Sequence, residues 1–77
     1  LTPNTMSEEA KNKAIEIYES YYYLMPTSLS EKNRNELTLK CAKNDIQGII
    51  ELLDNEGYGN EYIINFYKEV KNQIKSI

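Results

Sequence analysis

The side chains best suited to chemistry in this sequence are one arginine and a run of tyrosines. Arg34 is the only arginine, and its planar guanidinium suits a carboxylate or a phosphate. Tyr22 and Tyr23 belong to four tyrosines that crowd into residues 18–23. Tyrosines are enriched at protein interfaces and can stack on nucleobases. These residues favour a function in which the protein binds a ligand or a partner. In the structural alternative, Arg34 is only a solvated charge and the tyrosines cover the end of a small core.

The groups that most enzymes use are missing. The chain has no histidine, and its single cysteine, Cys41, can form neither an intrachain disulfide nor a zinc site. Its three glycines, Gly48, Gly57 and Gly59, cannot build a phosphate-binding loop. We therefore predict a protein that is not an enzyme and that has no metal ion or cofactor.

Composition limits the remaining classes. Nine basic and twelve acidic residues give a net charge of −3, which argues against general nucleic-acid binding and suits docking on a basic partner. We expect a cytoplasmic protein without a membrane segment, since no run of 18 apolar residues and no signal peptide is present. A chain of 77 residues forms one domain at most and is marginally stable unless it self-associates.

Hydrophobic periodicity predicts an all-α fold, a single small domain over residues 1–77 with three helices and a long central one. The helices are expected at about residues 6–24, 30–56 and 60–76. Pro26 should end the first helix, and the glycines around Tyr58 should end the second. The three helix starts are marked by Thr5 with Glu8, by Ser28 with Glu31, and by Asn60.

The predicted apolar faces differ in width. The first face contains Ala10, Ala14, Ile17, Tyr18, Tyr21, Leu24 and Met25, with Tyr22 at its edge and Tyr23 on the polar side. The middle helix has a much broader arc: Leu37, Leu39, Cys41, Ala42, Ile46, Gly48, Ile49, Ile50, Leu52 and Leu53. This arc is wider than packing against a single helix would cover. We therefore expect the middle helix to contact two helices, or one helix and another subunit. This breadth favours a homo-oligomer.

Asp45 interrupts the broad arc of the middle helix. A buried, unpaired carboxylate would cost several kcal/mol, so a partner from another helix or subunit is expected. The favoured donor is the hydroxyl of Tyr18, Tyr21 or Tyr22. We expect Asp45 to be a structural polar residue of the core; the alternative places it at a ligand pocket or an interface.

The third helix adds the last candidate binding residue. Its apolar stripe comprises Ile63, Phe66, Tyr67, Val70, Ile74 and Ile77, which leaves Ile64 alone on the outer side. Ile64 therefore joins Tyr22, Tyr23 and Arg34 as a candidate contact residue, although a lone apolar residue on a surface is also ordinary.

Two segments carry a resemblance to a known group. The first has Lys40, Cys41, Ala42, Asp45, Ile49 and Ile50 in a K-C-A…D…I-I pattern, and the second has Tyr67, Glu69, Val70 and Lys71 as an aromatic residue before E-V-K. Residues 36–75 thereby resemble a group of small, mostly uncharacterised bacteriophage and prophage helical proteins. The resemblance implies a phage or prophage origin and expression in the bacterial cytoplasm, and it implies no reaction.

Three functions are open for a small, acidic, helical phage protein. The first is a counter-defence factor that inhibits a bacterial antiviral system by binding a host defence protein, as anti-CRISPR proteins do. The alternative is an oligomeric sponge that sequesters a cyclic nucleotide defence signal, with tyrosines stacking on bases and Arg34, Lys40 and Lys43 binding phosphates. A structural or regulatory phage protein is the third.

Overall fold

The structure, a computed structural model, describes residues 6–56 and 61–76. Three helices follow one another: α1 (Met6–Tyr22), α2 (Glu31–Glu56) and α3 (Glu61–Ile74). No strand occurs in the described ranges. The predicted all-α class with three helices, the longest in the middle, is confirmed.

The end of α1 lies slightly earlier than predicted. After Tyr22, the amide of Leu24 donates to the carbonyl of Tyr21 at 3.0 Å, and the amide of Met25 donates to the carbonyl of Tyr22 at 3.2 Å. Such bonds between residues three apart tighten the last turn and satisfy carbonyls that a helix end leaves without a partner. The helix therefore closes on itself before it reaches Pro26.

The start of α2 corrects the predicted cap. The hydroxyl of Ser30 accepts a hydrogen bond from the amide of Asn33 at 3.2 Å, and its carbonyl accepts one from the amide of Arg34 at 2.9 Å. Ser30 is therefore the N-cap, and the assignment to Ser28 is wrong because the spacing to Glu31 alone does not fix the register. Other predicted boundary and stripe residues lie outside the described residues: Thr5, Gly57, Gly59, Asn60 and Ile77.

The three helices pack pairwise around a small core, with the most extensive contact between α1 and α3. The buried apolar residues are Ala10, Ala14, Ile17, Ala42, Ile46, Ile50, Val70 and Ile74. Several partly buried residues pack against them: Tyr18, Tyr21, Leu39, Phe66 and Tyr67. Alanines at the contacts let helix axes approach closely.

The molecule is flat. Its principal extents are 41 × 37 × 15 Å, and the smallest of these accommodates about two layers of helix backbone. Each helix contacts the other two, yet several large apolar side chains stay in contact with water.

Parts of the predicted apolar faces are consequently exposed. Leu24 is 78% exposed because α1 ends at Tyr22 and leaves it in the turn. On α2, Leu37 is 41% exposed and Leu52 is 59% exposed, so only part of the broad arc is covered by α1 and α3.

Truncation of one core side chain should lower the stability of the fold strongly. Ile46 is fully buried in the middle of α2, so Ile46→Ala should lower the free energy of unfolding by about 2–5 kcal/mol, as measured by urea denaturation. Thr38→Val is the matched control: Thr38 is equally buried, but its hydroxyl donates only to the carbonyl of Arg34 in the same helix, at 2.7 Å. We expect Thr38→Val to lower the free energy of unfolding by about 1 kcal/mol or less. Equal effects of the two variants would contradict the placement of the core.

Candidate functional site

The corner between α1 and α2 brings together three of the four predicted binding residues. The guanidinium carbon of Arg34 lies 4.0 Å from the centroid of the Tyr22 ring. The rings of Tyr22 and Tyr23 meet edge to face, with centroids 5.4 Å apart and planes at 86°. Tyr18 stacks on Tyr22 with centroids 5.7 Å apart and planes at 19°. We call Tyr18, Tyr22, Tyr23 and Arg34 the Tyr–Arg cluster.

Arg34 also completes the end of α1. Its Nε donates to the carbonyl of Tyr22 at 3.2 Å, the same oxygen that accepts the amide of Met25. The last turn of α1 contains no basic residue. Arg34 of α2 instead supplies the positive charge that stabilises the C-terminal end of the α1 dipole. Stacking on an aromatic ring adds about 0.5–1 kcal/mol at an exposed site. Arg34 is therefore held in one orientation by α1.

Tyr18 anchors the inner side of the cluster. Its hydroxyl donates to Oδ1 of Asn35 at 2.5 Å. Burial raises the pKa of Tyr18, the neighbouring Tyr22 and Glu31 raise it further, and Arg34 opposes them. The phenol therefore stays neutral and keeps its proton for the hydrogen bond to α2.

The outer side of the cluster is open to solvent. Tyr23 is 72% exposed, whereas Tyr22 and Arg34 are half-buried. A guanidinium carries five N–H donors, and Nε is the one that donates within the described part of the chain. The cluster thus presents an aromatic ring beside a cation with spare donors. This arrangement can bind an apolar group together with a carboxylate or phosphate, and it contains no general base or activated nucleophile.

Ile64, the fourth predicted binding residue, lies apart on α3. It is half-buried, whereas Tyr62 is 60% exposed and Ile63 is 37% exposed. The prediction that Ile64 stands alone on the exposed side of α3 is therefore wrong. The stripe of α3 is covered around Val70 and Ile74, but its first turn opens onto a groove of about 310 Å³. The lining residues of that groove are Glu9, Tyr62, Ile63, Phe66 and Tyr67.

Asp45 is not a core residue. Its side chain is exposed, because the buried line of α2 through Thr38, Ala42 and Ile46 passes beside it. Its neighbour is Tyr21, one of the three tyrosines expected as donors: burial raises the pKa of Tyr21 most, followed by the charge of Asp45, by Cys41 and by a hydrogen bond to Asp45. The core placement of Asp45 is wrong, because α1 and α3 cover only part of the apolar arc of α2.

The cations expected to bind phosphate do not converge. At about 100° per residue, Lys40 lies about 120° and Lys43 about 180° around α2 from Arg34. Sequence reasoning missed a different basic surface, a depression that is lined by Gln47, Ile50, Lys68, Lys71, Asn72 and Lys75. There Nζ of Lys71 donates to Oε1 of Gln47 at 2.6 Å. The spacing of Lys68 and Lys71 on α3 and of Lys75 directly after it was visible in the sequence, but their approach to α2 was not.

Comparisons with protein-family models, with curated proteins and with solved structures find no match for this chain. Across residues 6–56 and 61–76, no group of three or more His, Cys, Asp or Glu side chains could hold a metal ion. No helix within the same ranges is both long and apolar enough to cross a bilayer.

Alkaline pH should destabilise the fold. The folded-state pKa values of Tyr18 and Tyr21 lie above the ordinary value of 10.0, so folding favours the neutral phenols. This contribution is complete below the pKa of the unfolded state and is lost as pH rises through the folded-state pKa. Urea denaturation at steps between about pH 9 and pH 11 should show the loss. A free energy of unfolding that stays constant over that range would contradict it.

The contact between Tyr21 and Asp45 can be tested by ultraviolet titration of the phenols. Asp45→Asn removes a negative charge beside Tyr21 and should shift one phenolate transition to lower pH, toward the ordinary pKa. Asp54→Asn is the matched control, since Asp54 is an exposed acid farther along α2. Equal titration curves for the two variants would show that Asp45 does not act on Tyr21.

The exposure of Asp45 also predicts a small cost for its removal. Asp45→Ala should change the free energy of unfolding by less than about 1 kcal/mol, because Asp45 is exposed and water can replace it as the acceptor for the Tyr21 hydroxyl. Chemical denaturation measures this. A loss of several kcal/mol would restore the view of Asp45 as an internal structural residue.

Proposed function

We propose that this protein is a non-enzymatic binding protein that recognises a partner protein through the Tyr–Arg cluster. The observation that carries the proposal is Tyr23, which is 72% exposed and yet packs edge to face on the Tyr22 ring. Tyr22 is in turn fixed by Arg34 and Tyr18. An exposed aromatic side chain on a rigid support loses little freedom on binding, which is a property of binding hot spots.

The charge of Arg34 and the net charge of the chain indicate which chemical groups the partner surface should carry. The spare donors of Arg34 suit a carboxylate beside the pocket that receives Tyr23. The chain as a whole carries a net charge of −3, which favours a basic surround on the partner and accelerates their encounter. The proposed partner surface is therefore an apolar pocket with one acidic group, set in a basic face.

The phage resemblance supplies the biological setting of the proposal. It covers residues 36–75, whereas the residues of the Tyr–Arg cluster precede that segment, so the two lines of support are independent. On this basis we propose a counter-defence factor that inhibits a bacterial antiviral system, with a host defence protein as the partner.

A nucleotide sponge is the second candidate. The observation that favours it is the pairing of an aromatic ring with a guanidinium, because a nucleotide needs a surface for its base and a cation for its phosphate. Two features place it second: the Tyr22 ring is already stacked by Tyr18 and Arg34, and Lys40 and Lys43 lie on other sides of α2.

The test begins with co-purification of a tagged chain from bacterial cells and continues with binding between the purified chain and each purified candidate. Tyr23→Ala should weaken the complex by about tenfold or more, as a hot-spot truncation does. Arg34→Lys should weaken it as well, because an ammonium cannot reproduce the planar fork. Circular dichroism must accompany the Arg34 variant, since this residue also caps α1.

Tyr62→Ala is the matched control, a tyrosine 60% exposed on α3 outside the cluster, and it should leave affinity unchanged. Unchanged affinity in Tyr23→Ala would overturn the role of the cluster.

Calorimetric titration with a panel of cyclic nucleotides distinguishes the nucleotide sponge from the protein-binding function. Saturable heat without any partner protein would favour the sponge, and a flat trace would favour the protein partner.

A further inference from the structure

One side of α2 is largely apolar and is only partly covered by the other helices, with Tyr21 of α1 beside Cys41. At about 100° per residue, Leu37, Cys41, Gly48 and Leu52 fall within about 60° of the helix circumference. Leu37 is 41% and Leu52 59% exposed, and Cys41 is half-buried. Gly48 is exposed, and a Cβ atom built on it would meet no atom within 4 Å beyond the neighbouring backbone of its own helix. We call these four residues the α2 strip.

The α2 strip is self-complementary in an antiparallel direction. Its members are separated by four, seven and four residues, so their spacing is the same from either end, with the centre between Asn44 and Asp45. Two antiparallel copies aligned on this centre bring each Leu37 beside Leu52 of the second copy. Each Cys41 then faces Gly48 of the second copy, and these small side chains let the helices approach closely. Such a contact closes with two-fold symmetry.

One pair of charges beside the α2 strip selects the same direction, whereas Asp45 on the other side comes close to its own copy in either direction. Lys40 and Glu51 border the strip on one side, at the angular positions where coiled-coil helices form ion pairs. They cannot pair within one chain, because eleven residues along the helix separate them by about 16 Å. In the antiparallel alignment each Lys40 lies within about 3 Å of axial register with Glu51 of the second copy. A parallel alignment would instead place Lys40 opposite Lys40 and Glu51 opposite Glu51.

We propose that the α2 strip binds a second copy of this chain and forms a two-fold, antiparallel α2–α2 homodimer. The leucines form the apolar ends of the contact, and Asp45 lies at its rim beside Tyr21 of its own chain. The dimer holds two Tyr–Arg clusters, one near each end of the contact and about 30 Å apart along α2.

Sedimentation over rising concentrations tests the dimer and its charge pattern. The wild-type chain should shift from monomer to dimer by high micromolar concentration. Lys40→Glu and Glu51→Lys should each raise the dissociation constant by about tenfold, because two attractive pairs become repulsive. The double variant should recover most of that loss, which a damaged fold would not do. A wild-type chain that stays monomeric, or a double variant weaker than both single ones, would overturn the proposal.

Mild oxidation tests the register. In the antiparallel dimer the two Cys41 residues lie about 10 Å apart along the axis, too far for a disulfide, which needs Cα atoms within about 7 Å. Gly48→Cys places a thiol opposite Cys41 of the second copy, so this variant should form a disulfide-linked dimer on a non-reducing gel. The open space at Gly48 accommodates the new side chain.

Glu36→Cys is the matched control, with a new exposed thiol away from the α2 strip, and it should cross-link no faster than the wild type. Rapid cross-linking of the wild type through Cys41 alone would indicate a parallel pair and overturn the antiparallel register. Equal rates for Gly48→Cys and Glu36→Cys would overturn it too. Neither experiment involves a partner protein, so its outcome is independent of the proposed function.

Discussion

Close packing of helices at small side chains is the constraint on which the rest of this structure depends. Ala10, Ala14 and Ala42 are fully buried, and the most extensive helix contact joins α1 to α3. Alanines bring helix axes together but enclose little volume, so the core stays small and the molecule is only 15 Å thick. In so thin a molecule, α1 and α3 together cover only part of the circumference of α2. The exposed side of α2 is a direct consequence of this packing.

The corner between α1 and α2 shows how a structural contact and a binding surface can share residues. The C-terminal turn of α1 needs donors for its carbonyls, and Arg34 supplies one from the first turns of α2. The same bond holds the guanidinium over Tyr22 and leaves Tyr23 facing water. The side chains that join the two helices therefore also order the exposed aromatic ring. A mobile tyrosine in a loop would offer the same chemistry with a larger entropic cost on binding.

The proposed dimer and the proposed binding site use different parts of the chain and reinforce one another. The α2 strip is apolar and nearly straight, whereas the Tyr–Arg cluster lies at the N-terminal end of α2 and carries a cation. A two-fold dimer would give a partner two identical sites, and simultaneous use of both would raise the apparent affinity without any new contact. For a chain of 77 residues, pairing along α2 would also add apolar burial that one copy cannot provide.

The sequence by itself determined the helices, because the spacing of apolar residues is a local property that survives any packing. It also determined the exposure of Tyr23 and the packing of Tyr18 and Tyr21 against the core, since their positions on the face of α1 decide this. The contacts between helices were decided only by the tertiary structure. Helical periodicity gives the angle of a residue around its own helix and contains nothing about which part of that circle a neighbour covers. Asp45 falls inside the apolar arc of the sequence pattern and is nevertheless exposed. Arg34 was expected to bind an anion, and its bond to the end of α1 was not foreseen. In both cases the position of α1 against α2 decides the contacts of the side chain.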